Sequence, residues 1–269
     1  MSEAMRDRVV VVTGGGTGIG RALAQAFHGE GARVAIASRD PEHLKKGASV
    51  ILARAGEDAA DNAARLLPLR LDVRVPEASR AVARHVVEAW GRIDVLVNNA
   101  GLSGHTPIAQ EGAEVDELWD AILDVNLHGV WRMTRACLPH MPDGGRVVNI
   151  SSVLGKFGVA RYGAYCASKH GLIGLTRALA AELAPRRITV NAICPGWVDT
   201  AMAEAGLRQT SAALGLDPES FRKAANERVP LGRFLRPDEI APLALYLASP
   251  AAEGLTGQAV NIEGGATTW

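Results

Sequence analysis

The chain has 269 residues, 48% of them apolar, and its 29 basic and 29 acidic residues leave a formal net charge of zero. This balance argues against a protein that binds nucleic-acid phosphates or a charged membrane surface, and no apolar run approaches the roughly 18 residues of a membrane helix. We therefore expect one domain over 1–269 with small-molecule partners. No apolar leader precedes the first predicted strand, so the cytoplasm is the expected compartment. The cysteines and histidines share no metal-ligand spacing, and no metal site is predicted.

A β-branched run, Val9 to Val12, predicts a first strand that is buried on both faces. It leads into the loop Thr13-Gly14-Gly15-Gly16-Thr17-Gly18-Ile19-Gly20 and then into a helical pattern over 19–29. Glycines allow tight turns, and the N-terminus of a helix offers unpaired N–H groups to an anion. The glycine spacing departs from G-x-G-x-x-G, but the order strand, loop, helix still predicts a dinucleotide pyrophosphate site.

The second predicted strand ends at Ser38-Arg39-Asp40, where the adenosine ribose lies in this architecture. An acidic residue there binds the ribose hydroxyls of NAD, whereas a basic residue accommodates the 2′-phosphate of NADP. Asp40 precedes Pro41 and is explained as the N-cap of the next helix. Ser38 and Arg39 therefore favour NADP(H). NAD(H) is the alternative, in which Arg39 is merely a solvated charge.

Two further strands are predicted at 69–73 and 93–97, separated by a helix over 76–91. Asp72 ends the first of them, and it either contacts adenine or caps a loop. The second leads into Asn98-Asn99-Ala100-Gly101, a turn of small residues that would let the backbone approach a ribose or nicotinamide.

A long helical pattern over 114–138 carries Asn126 in its middle, and a fifth strand over 145–150 is followed by Ser151 and Ser152. A loop over 153–162 then leads to a helix over 163–180. The polar Asn126 is uncommon on a buried helix face, where an interhelical hydrogen bond is the simplest explanation.

Tyr165 and Lys169 lie one turn apart on one face of the predicted helix 163–180. A neighbouring ammonium lowers the pKa of a phenol from about 10, which would make Tyr165 a general acid/base. Ser152 could hold the carbonyl oxygen that accepts the proton. The run predicts a hydride transfer coupled to proton transfer.

A sixth strand is predicted at 188–193, followed by Cys194-Pro195-Gly196-Trp197-Val198-Asp199-Thr200, and a last strand at 259–262. Between them, the segment 201–230 mixes helical patches with glycine and proline directly after a strand end. It is interpreted either as a mobile lid over the substrate or as an ordinary surface excursion.

These motifs together resemble the classical short-chain dehydrogenase/reductase family over essentially the whole chain. The family implies an α/β Rossmann-type fold, with a doubly wound seven-stranded parallel sheet and helices on both faces, in a chain that usually forms a homotetramer. By this resemblance Tyr165 is the acid/base, and Lys169 lowers its pKa and holds the nicotinamide ribose. Ser152 orients the carbonyl, and Asn126 supports a water of a proton relay.

The resemblance also implies a set of cofactor contacts. Many NADP-using members carry a basic residue at the position of Thr17, which leaves Arg39 alone to favour the phosphate. The implied contacts are Gly14, Gly16, Thr17, Gly18, Ile19, Gly20, Ser38, Arg39, Asp72, Val73, Asn99, Ala100, Gly101, Tyr165, Lys169, Pro195, Gly196, Val198 and Thr200.

The stretches 154–158, 165–171 and 194–202 look most like bacterial 3-oxoacyl reductases and aromatic-polyketide ketoreductases. Six apolar or aromatic residues would form the pocket wall or else pack the lid: Phe157, Val159, Tyr162, Trp197, Met202 and Leu207. Three arginines, Arg161, Arg208 and Arg222, are candidates for a phosphopantetheine or CoA phosphate, although scattered arginines are usually solvated.

The leading hypothesis is an NADP(H)-dependent reductase of a 3-oxoacyl thioester or a related cyclic ketone. One alternative is an NAD-dependent secondary-alcohol or 3-hydroxyacyl-CoA dehydrogenase. Another is a non-catalytic dinucleotide-sensing protein on the same fold.

Overall fold

A computed structural model of the chain describes residues 4–54 and 59–267, so residues 1–3, 55–58 and 268–269 of the predicted domain lie outside the description. Within the described residues, one parallel sheet has the strand order β3-β2-β1-β4-β5-β6-β7. The strands are β1 Val9–Thr13, β2 Arg33–Ser38, β3 Leu66–Arg70, β4 Val95–Asn98, β5 Arg146–Ile150, β6 Thr189–Pro195 and β7 Ala259–Ile262. The doubly wound sheet is confirmed. Strand order reverses between β1 and β4, and ligands bind at such a point in open α/β sheets.

Helices cover both faces of the sheet. Alternate valines of β1 enter two different cores: Val10 and Val12 pack with one helical layer, Val9 and Val11 with the other. The helices are α1 Gly18–Gly29, α2 Pro41–Ala53, α3 Ala59–Ala64, α4 Pro76–Trp90, α5 Ala113–Leu123, α6 Gly129–Cys137, α7 Gly163–Leu183, α8 Ala201–Ala213, α9 Pro218–Glu227 and α10 Ala241–Ala248. In the described part of the chain, no helix is both long and apolar enough to cross a membrane.

The third strand begins three residues before its predicted start. It pairs Leu66 with Val34 and Arg70 with Ser38, so it ends before Asp72. This strand lies at the edge of the sheet and contains Pro68, a residue that edge positions tolerate because they need fewer backbone donors. Its half-exposed side chains obscured the strand pattern, and the prediction of a strand over 69–73 was wrong in its bounds.

The helix predicted over 114–138 is interrupted. Between α5 and α6 the backbone forms a π-helical turn over Asp124–His128, and this turn contains the buried Asn126. Such turns add one residue to a helix and frequently occur at functional sites. The extra residue changes the direction of the side chains that follow. A sequence pattern with a regular 3.6-residue period does not predict this change.

The segment 201–230 is largely helical. The side chain of Thr200 accepts a hydrogen bond from Ala203 N and begins α8, and Asp217 accepts one from Ser220 N and begins α9. A small separate core contains Leu207, Ala225 and Phe234, with Trp197 and Phe221 packed against it. The two helices therefore form an ordered hairpin beside the carboxyl ends of the strands. Helix α10, which follows, was not predicted.

Candidate active site

A cavity of about 810 Å³ opens at the carboxyl ends of the central strands. Its walls come from the loop after β1, the ends of β4 and β5, the first turns of α7, the loop after β6, and the hairpin of α8 and α9. The predicted cofactor and catalytic residues therefore meet largely in one space. Most of the wall is apolar, as in many pockets for organic ligands.

The glycine loop is shaped by close backbone contacts. Gly14 and Gly18 have positive φ angles of 66° and 51°, which favour glycine. A Cβ atom on Gly20 would lie 2.2 Å from the Gly14 carbonyl oxygen, so helix α1 can start this close to the loop only without a side chain there. The resulting cradle, with the free N–H groups at the start of α1, fits a dinucleotide pyrophosphate.

Gly16 differs from the other predicted contacts of this loop. A Cβ atom there would lie 2.6 Å from the carbonyl oxygen of His43, so Gly16 packs against α2 rather than facing the cavity. Close packing against α2 therefore explains why this position requires a glycine. Thr17, Gly18, Ile19 and Gly20 line the cavity as predicted.

Side-chain hydrogen bonds join the ends of β1 and β4. Thr13 Oγ1 accepts from the backbone N–H groups of Asn99 at 2.9 Å and Ala100 at 3.0 Å. Asn99 Nδ2 in turn donates to Thr13 O at 2.9 Å. These bonds place the turn Asn99-Ala100-Gly101 on the cavity wall. Thr13 is a positioning residue that the sequence reasoning had treated only as part of the loop.

The residues predicted to contact the adenosine end, Ser38, Arg39 and Asp72, lie outside this cavity wall.

 

Asp40 accepts hydrogen bonds from Glu42 N at 2.8 Å and His43 N at 3.4 Å, which confirms it as the N-cap of α2. Arg39 is exposed and lies close enough to Asp72 to help lower the pKa of that carboxyl group. The exposed guanidinium at the end of β2 is therefore available to an anion, whereas the nearby Asp40 carboxylate is engaged by backbone N–H groups.

Asp72 is also held by its own loop. Its carboxylate accepts from Arg74 N at 3.0 Å and pairs with the Arg74 guanidinium, whose Nη2 lies 2.7 Å from Oδ2. The hydrogen bonds from Arg74 are the largest cause that lowers the pKa of Asp72. Loop capping thus explains this residue, and a contact with adenine stays a prediction. The neighbouring Val73 packs its side chain into the core and closely approaches Gly129.

Tyr165 lies in the first turns of α7 and lines the cavity beside Ser152. Removal from water raises the pKa of the Tyr165 phenol to about 12, and a hydrogen bond with the Ser152 side chain opposes that rise. The expected lowering of this pKa by Lys169 is wrong for this structure, because desolvation of the phenol is the largest cause and outweighs the opposing hydrogen bond with Ser152. At neutral pH the phenol is therefore protonated and able to donate.

Lys169 is almost fully buried, with 4% of its surface exposed. Its Nζ donates to Ile150 O at 2.9 Å and lies 5.6 Å from the centre of the Tyr165 ring. Burial lowers the pKa of Lys169 to about 8. The predicted one-turn spacing places the two side chains together, but the ammonium is held by the end of β5.

Asn126 connects the π-helical turn to two other parts of the site. Its Nδ2 donates to Leu102 O at 2.8 Å and to Ser168 Oγ at 3.0 Å, while its Oδ1 accepts from Leu102 N at 2.8 Å. Ser168 Oγ then donates to Tyr165 O at 2.8 Å. Asn126 therefore makes the buried polar contacts that its position required, and Ser168 is a linking residue that the sequence reasoning missed.

The loop after β6 forms the opposite wall. Gly196 N donates to Ile262 O at 3.1 Å, and a Cβ atom on Gly196 would lie 2.7 Å from Glu263 Cβ, so the end of β7 closely approaches it. Pro195, Gly196, Val198 and Thr200 all line the cavity. Five of the six residues predicted for the substrate wall also line the cavity: Phe157, Val159, Tyr162, Trp197 and Met202.

Two predictions for the substrate end are decided by the contacts in the hairpin. Leu207 is 2% exposed and packs in the small core with Phe234, so of its two predicted roles it has the packing role and does not form the wall. Arg222 forms ion pairs with Asp199 and Glu204 and lies over the Phe234 ring, so it is not a free cation for a substrate phosphate. Arg161 does line the cavity, as does Arg228, which the sequence reasoning missed.

The described residues contain no group of three or more histidine, cysteine or acidic side chains that could hold a metal ion. The candidate site therefore consists of a glycine cradle, a half-buried Tyr165 beside the buried Lys169 and Ser152, and an apolar wall. This is the arrangement of an oxidoreductase that binds a dinucleotide.

Comparison with known proteins agrees with this class. A family described as enoyl-(acyl carrier protein) reductase matches residues 14–267. The chain belongs to the short-chain dehydrogenase/reductase family, whose members are oxidoreductases acting on carbonyl or alcohol groups.

The relatives include reductases of acyl chains and of polyketides. The chain is 41% identical, over 96% of its length and 97% of the relative, to a Streptomyces virginiae protein named as the ketoacyl reductase of the monensin polyketide synthase. It is 37% identical to the 3-oxoacyl-[acyl-carrier-protein] reductase of Thermotoga maritima, covering 97% and 98% of the two chains. A solved structure of an actinorhodin polyketide ketoreductase variant with NADPH superposes with a TM-score of 0.89 at 37% identity, over 100% of this chain and 99% of that one.

Proposed function

We propose that the protein is an NADPH-dependent reductase that converts a ketone, either a 3-oxoacyl thioester or a related cyclic ketone, into a secondary alcohol. The observation that carries this proposal is the position of the Tyr165 phenol, which lines the same apolar cavity as the glycine cradle. The names of the ketoacyl and 3-oxoacyl reductase relatives support the substrate class.

Tyr165 acts as the proton donor. Its raised pKa keeps the phenol protonated at neutral pH, and the developing alkoxide of a reduced ketone is a stronger base than a phenolate. Proton transfer from Tyr165 to the substrate oxygen therefore runs downhill in the direction of reduction. Ser152, whose side chain hydrogen-bonds Tyr165, orients the same oxygen. NADPH supplies the hydride when it is bound.

Lys169 holds the nicotinamide ribose and keeps a positive charge near the phenol. A pKa of about 8 leaves its ammonium mostly protonated at neutral pH. Asn126 supports a water that links Lys169 to solvent, which returns the proton that Tyr165 gives up. Gly101 lies between them, since a Cβ atom there would lie 3.5 Å from Asn126 Oδ1 and 3.9 Å from Lys169 Nζ.

The glycine cradle binds the pyrophosphate of the cofactor through Gly14, Gly18 and Gly20. Arg39, with Ser38, binds the 2′-phosphate, since Asp40 is committed to its helix cap. The remaining contacts are Thr17, Ile19, Asn99, Ala100, Gly101, Pro195, Gly196, Val198 and Thr200. The bound NADPH in the similar ketoreductase structure supports this choice of cofactor.

The segment 201–230 acts as a lid on the substrate end, and the whole chain functions as one domain. We further infer a homotetramer that works in the cytoplasm. Trp119 on α5 and Trp131 on α6 expose 39% and 42% of their surface, and contact with another copy would cover such rings. Light scattering of the purified protein would measure the assembly.

The decisive assay follows absorbance of NADPH or NADH with acetoacetyl-CoA and, separately, with a fused bicyclic ketone. We expect oxidation of NADPH with at least one of these ketones, and an Arg39→Gln variant that binds NADPH about tenfold more weakly with NADH binding unchanged. A preference for NADH would replace the proposal by an NAD-dependent alcohol or 3-hydroxyacyl-CoA dehydrogenase. Cofactor binding without turnover of any ketone or alcohol would favour a dinucleotide sensor.

A further inference from the structure

Tyr162 connects the catalytic helix to the hairpin above the substrate end. It immediately precedes α7, is 7% exposed, and its ring packs edge-on against the ring of Tyr165 with centroids 6.4 Å apart. Its hydroxyl lies 3.1 Å from Thr210 Oγ1 and 3.4 Å from Gly206 O, both on α8. One side chain therefore touches the catalytic tyrosine and the lid helix.

His105 contacts both Tyr162 and Thr210 from a third part of the fold. This residue lies in the loop between β4 and α5, and its Nε2 is 3.2 Å from Thr210 Oγ1. Its ring packs edge-on against Tyr162 with centroids 4.7 Å apart. The hydroxyls of Tyr162 and Thr210 and the His105 ring nitrogen can thus form one chain of hydrogen bonds that ends on Gly206 O.

Gly206 provides independent evidence that this contact shapes α8. A glycine inside a helix destabilises the helix relative to alanine, so a specific contact should explain a glycine at this position. A Cβ atom on Gly206 would lie 3.1 Å from the Tyr162 hydroxyl, and that oxygen is the only neighbour within 4 Å among the described residues. The glycine therefore lets α8 approach Tyr162 closely enough for the hydrogen bonds to form.

We propose that Tyr162 is a positioning residue that fixes α8 against the start of the catalytic helix and so sets the substrate wall beside Tyr165. Gly206 and Thr210 line the cavity together with Tyr162, so any shift of α8 changes the space left for the ketone. The inference rests on the proposed reductase function, because the substrate wall is defined by that reaction.

The first test is Tyr162→Phe, which removes the hydroxyl and keeps the ring. We expect the KM of the ketone to rise about threefold to tenfold, the size expected for one or two lost hydrogen bonds, while kcat changes by less than about twofold. Tyr246→Phe is the matched control, because Tyr246 lies on α10 and is 38% exposed. An unchanged KM in Tyr162→Phe, or a loss confined to kcat, would overturn the proposal.

A second test does not need turnover. Arg208 is exposed on α8 between Gly206 and Thr210, so trypsin cleavage after Arg208 reports how firmly α8 is held. Cleavage should be faster in Tyr162→Phe and in Thr210→Val than in the wild type or in Tyr246→Phe. Equal cleavage in all four would refute the contact itself, whereas a wild type that reduces no ketone would refute only the reductase function.

Gly206→Ala gives the sharpest comparison. In the wild-type background the added methyl group meets the Tyr162 hydroxyl, so trypsin cleavage after Arg208 should accelerate. In the Tyr162→Phe background that oxygen is gone and alanine favours the helix, so the same substitution should slow cleavage or leave it unchanged. The same effect in both backgrounds would show that Tyr162 does not determine the position of α8.

Discussion

The catalytic side of the cavity and the hairpin of α8 and α9 above it are built from different interactions. On the catalytic side Asn126 and Lys169 are 1% and 4% exposed, and their polar atoms are bonded to backbone groups. In the hairpin, Met202, Leu214 and Leu216 line the cavity with 43%, 58% and 49% of their surface exposed. The buried polar network fixes the positions of the catalytic side chains. The exposed apolar side chains instead contribute binding free energy when a substrate removes them from water.

This difference implies that one side of the cavity determines the reaction rate and the other determines substrate selectivity. A change on the catalytic side breaks a network in which each group has a fixed partner, so it should affect the rate of any substrate. A change in the hairpin alters a wall held by a few contacts, so it should affect substrate affinity and substrate choice while the proton transfer continues.

The largest effect is expected for Tyr165→Phe, which removes the proton donor and keeps the ring. Turnover should fall about a thousandfold, within the range known for a lost general acid, while NADPH affinity changes little. Initial rates and a fluorescence titration measure the two quantities, and Tyr246→Phe again serves as the control. Substantial residual turnover would assign the proton to another group and remove the basis of the comparison.

Gly20→Ala should affect cofactor binding most. The added methyl group would lie 2.2 Å from Gly14 O and 2.4 Å from Asn99 Nδ2, so the loop must move out of its cradle. We expect NADPH binding to weaken by at least about tenfold and the melting temperature to fall. Gly29→Ala, at the other end of α1, meets nothing within 4 Å among the described residues and should keep wild-type binding. Equal behaviour of the two variants would mean that close packing does not determine the cradle.

Lys169→Met should lower the activity and raise the stability of the protein. Burial lowers the pKa of Lys169 from 10.5 to about 8, so the folded state binds this proton more weakly than the unfolded state does. Below pH 8 this weaker proton binding costs about 3 kcal/mol of stability, although the ammonium donates a hydrogen bond to Ile150 O. The variant should therefore lose turnover and melt at a higher temperature at pH 7.

The pH dependence checks the cause of that gain. As the pH rises from about 8 towards 10.5, the folded protein has released the proton while the unfolded chain still binds it, so wild-type stability rises relative to the variant. The advantage of Lys169→Met should shrink across this window. Lys46→Met, at an exposed position on α2, should show no such trend. A constant difference at every pH would attribute the gain to packing.

The smallest effect is expected at Arg222, which joins α9 to Asp199 and to Glu204 on α8. Its ion pairs are partly exposed and therefore contribute little each, and its contact with Phe234 adds a cation–π interaction. Arg222→Leu should raise the KM of the ketone about threefold and leave kcat unchanged, because only the hairpin of α8 and α9 loosens. The exposed neighbour Lys223 supplies the control, Lys223→Leu. A fall in kcat would show that the hairpin and the catalytic side do not act independently.

Local patterns determined much of this protein. The β-branched run before the glycine loop predicted β1, the four-residue spacing predicted that Tyr165 and Lys169 share a helix face, and Pro41 identified Asp40 as a cap. Each of these depends on neighbours within a few residues, and backbone geometry alone then fixes the outcome.

Contacts between distant segments decided the rest. The pKa of Tyr165 rises because the folded chain around it removes much of the phenol from water, and Gly16 faces α2 because His43 packs there. Arg222 forms ion pairs because folding brings Asp199 and Glu204 to it. Desolvation, close packing and ion pairing all depend on which surfaces meet in three dimensions. A one-dimensional pattern names the residues that carry the chemistry, but only the assembled fold sets their partners and their charge.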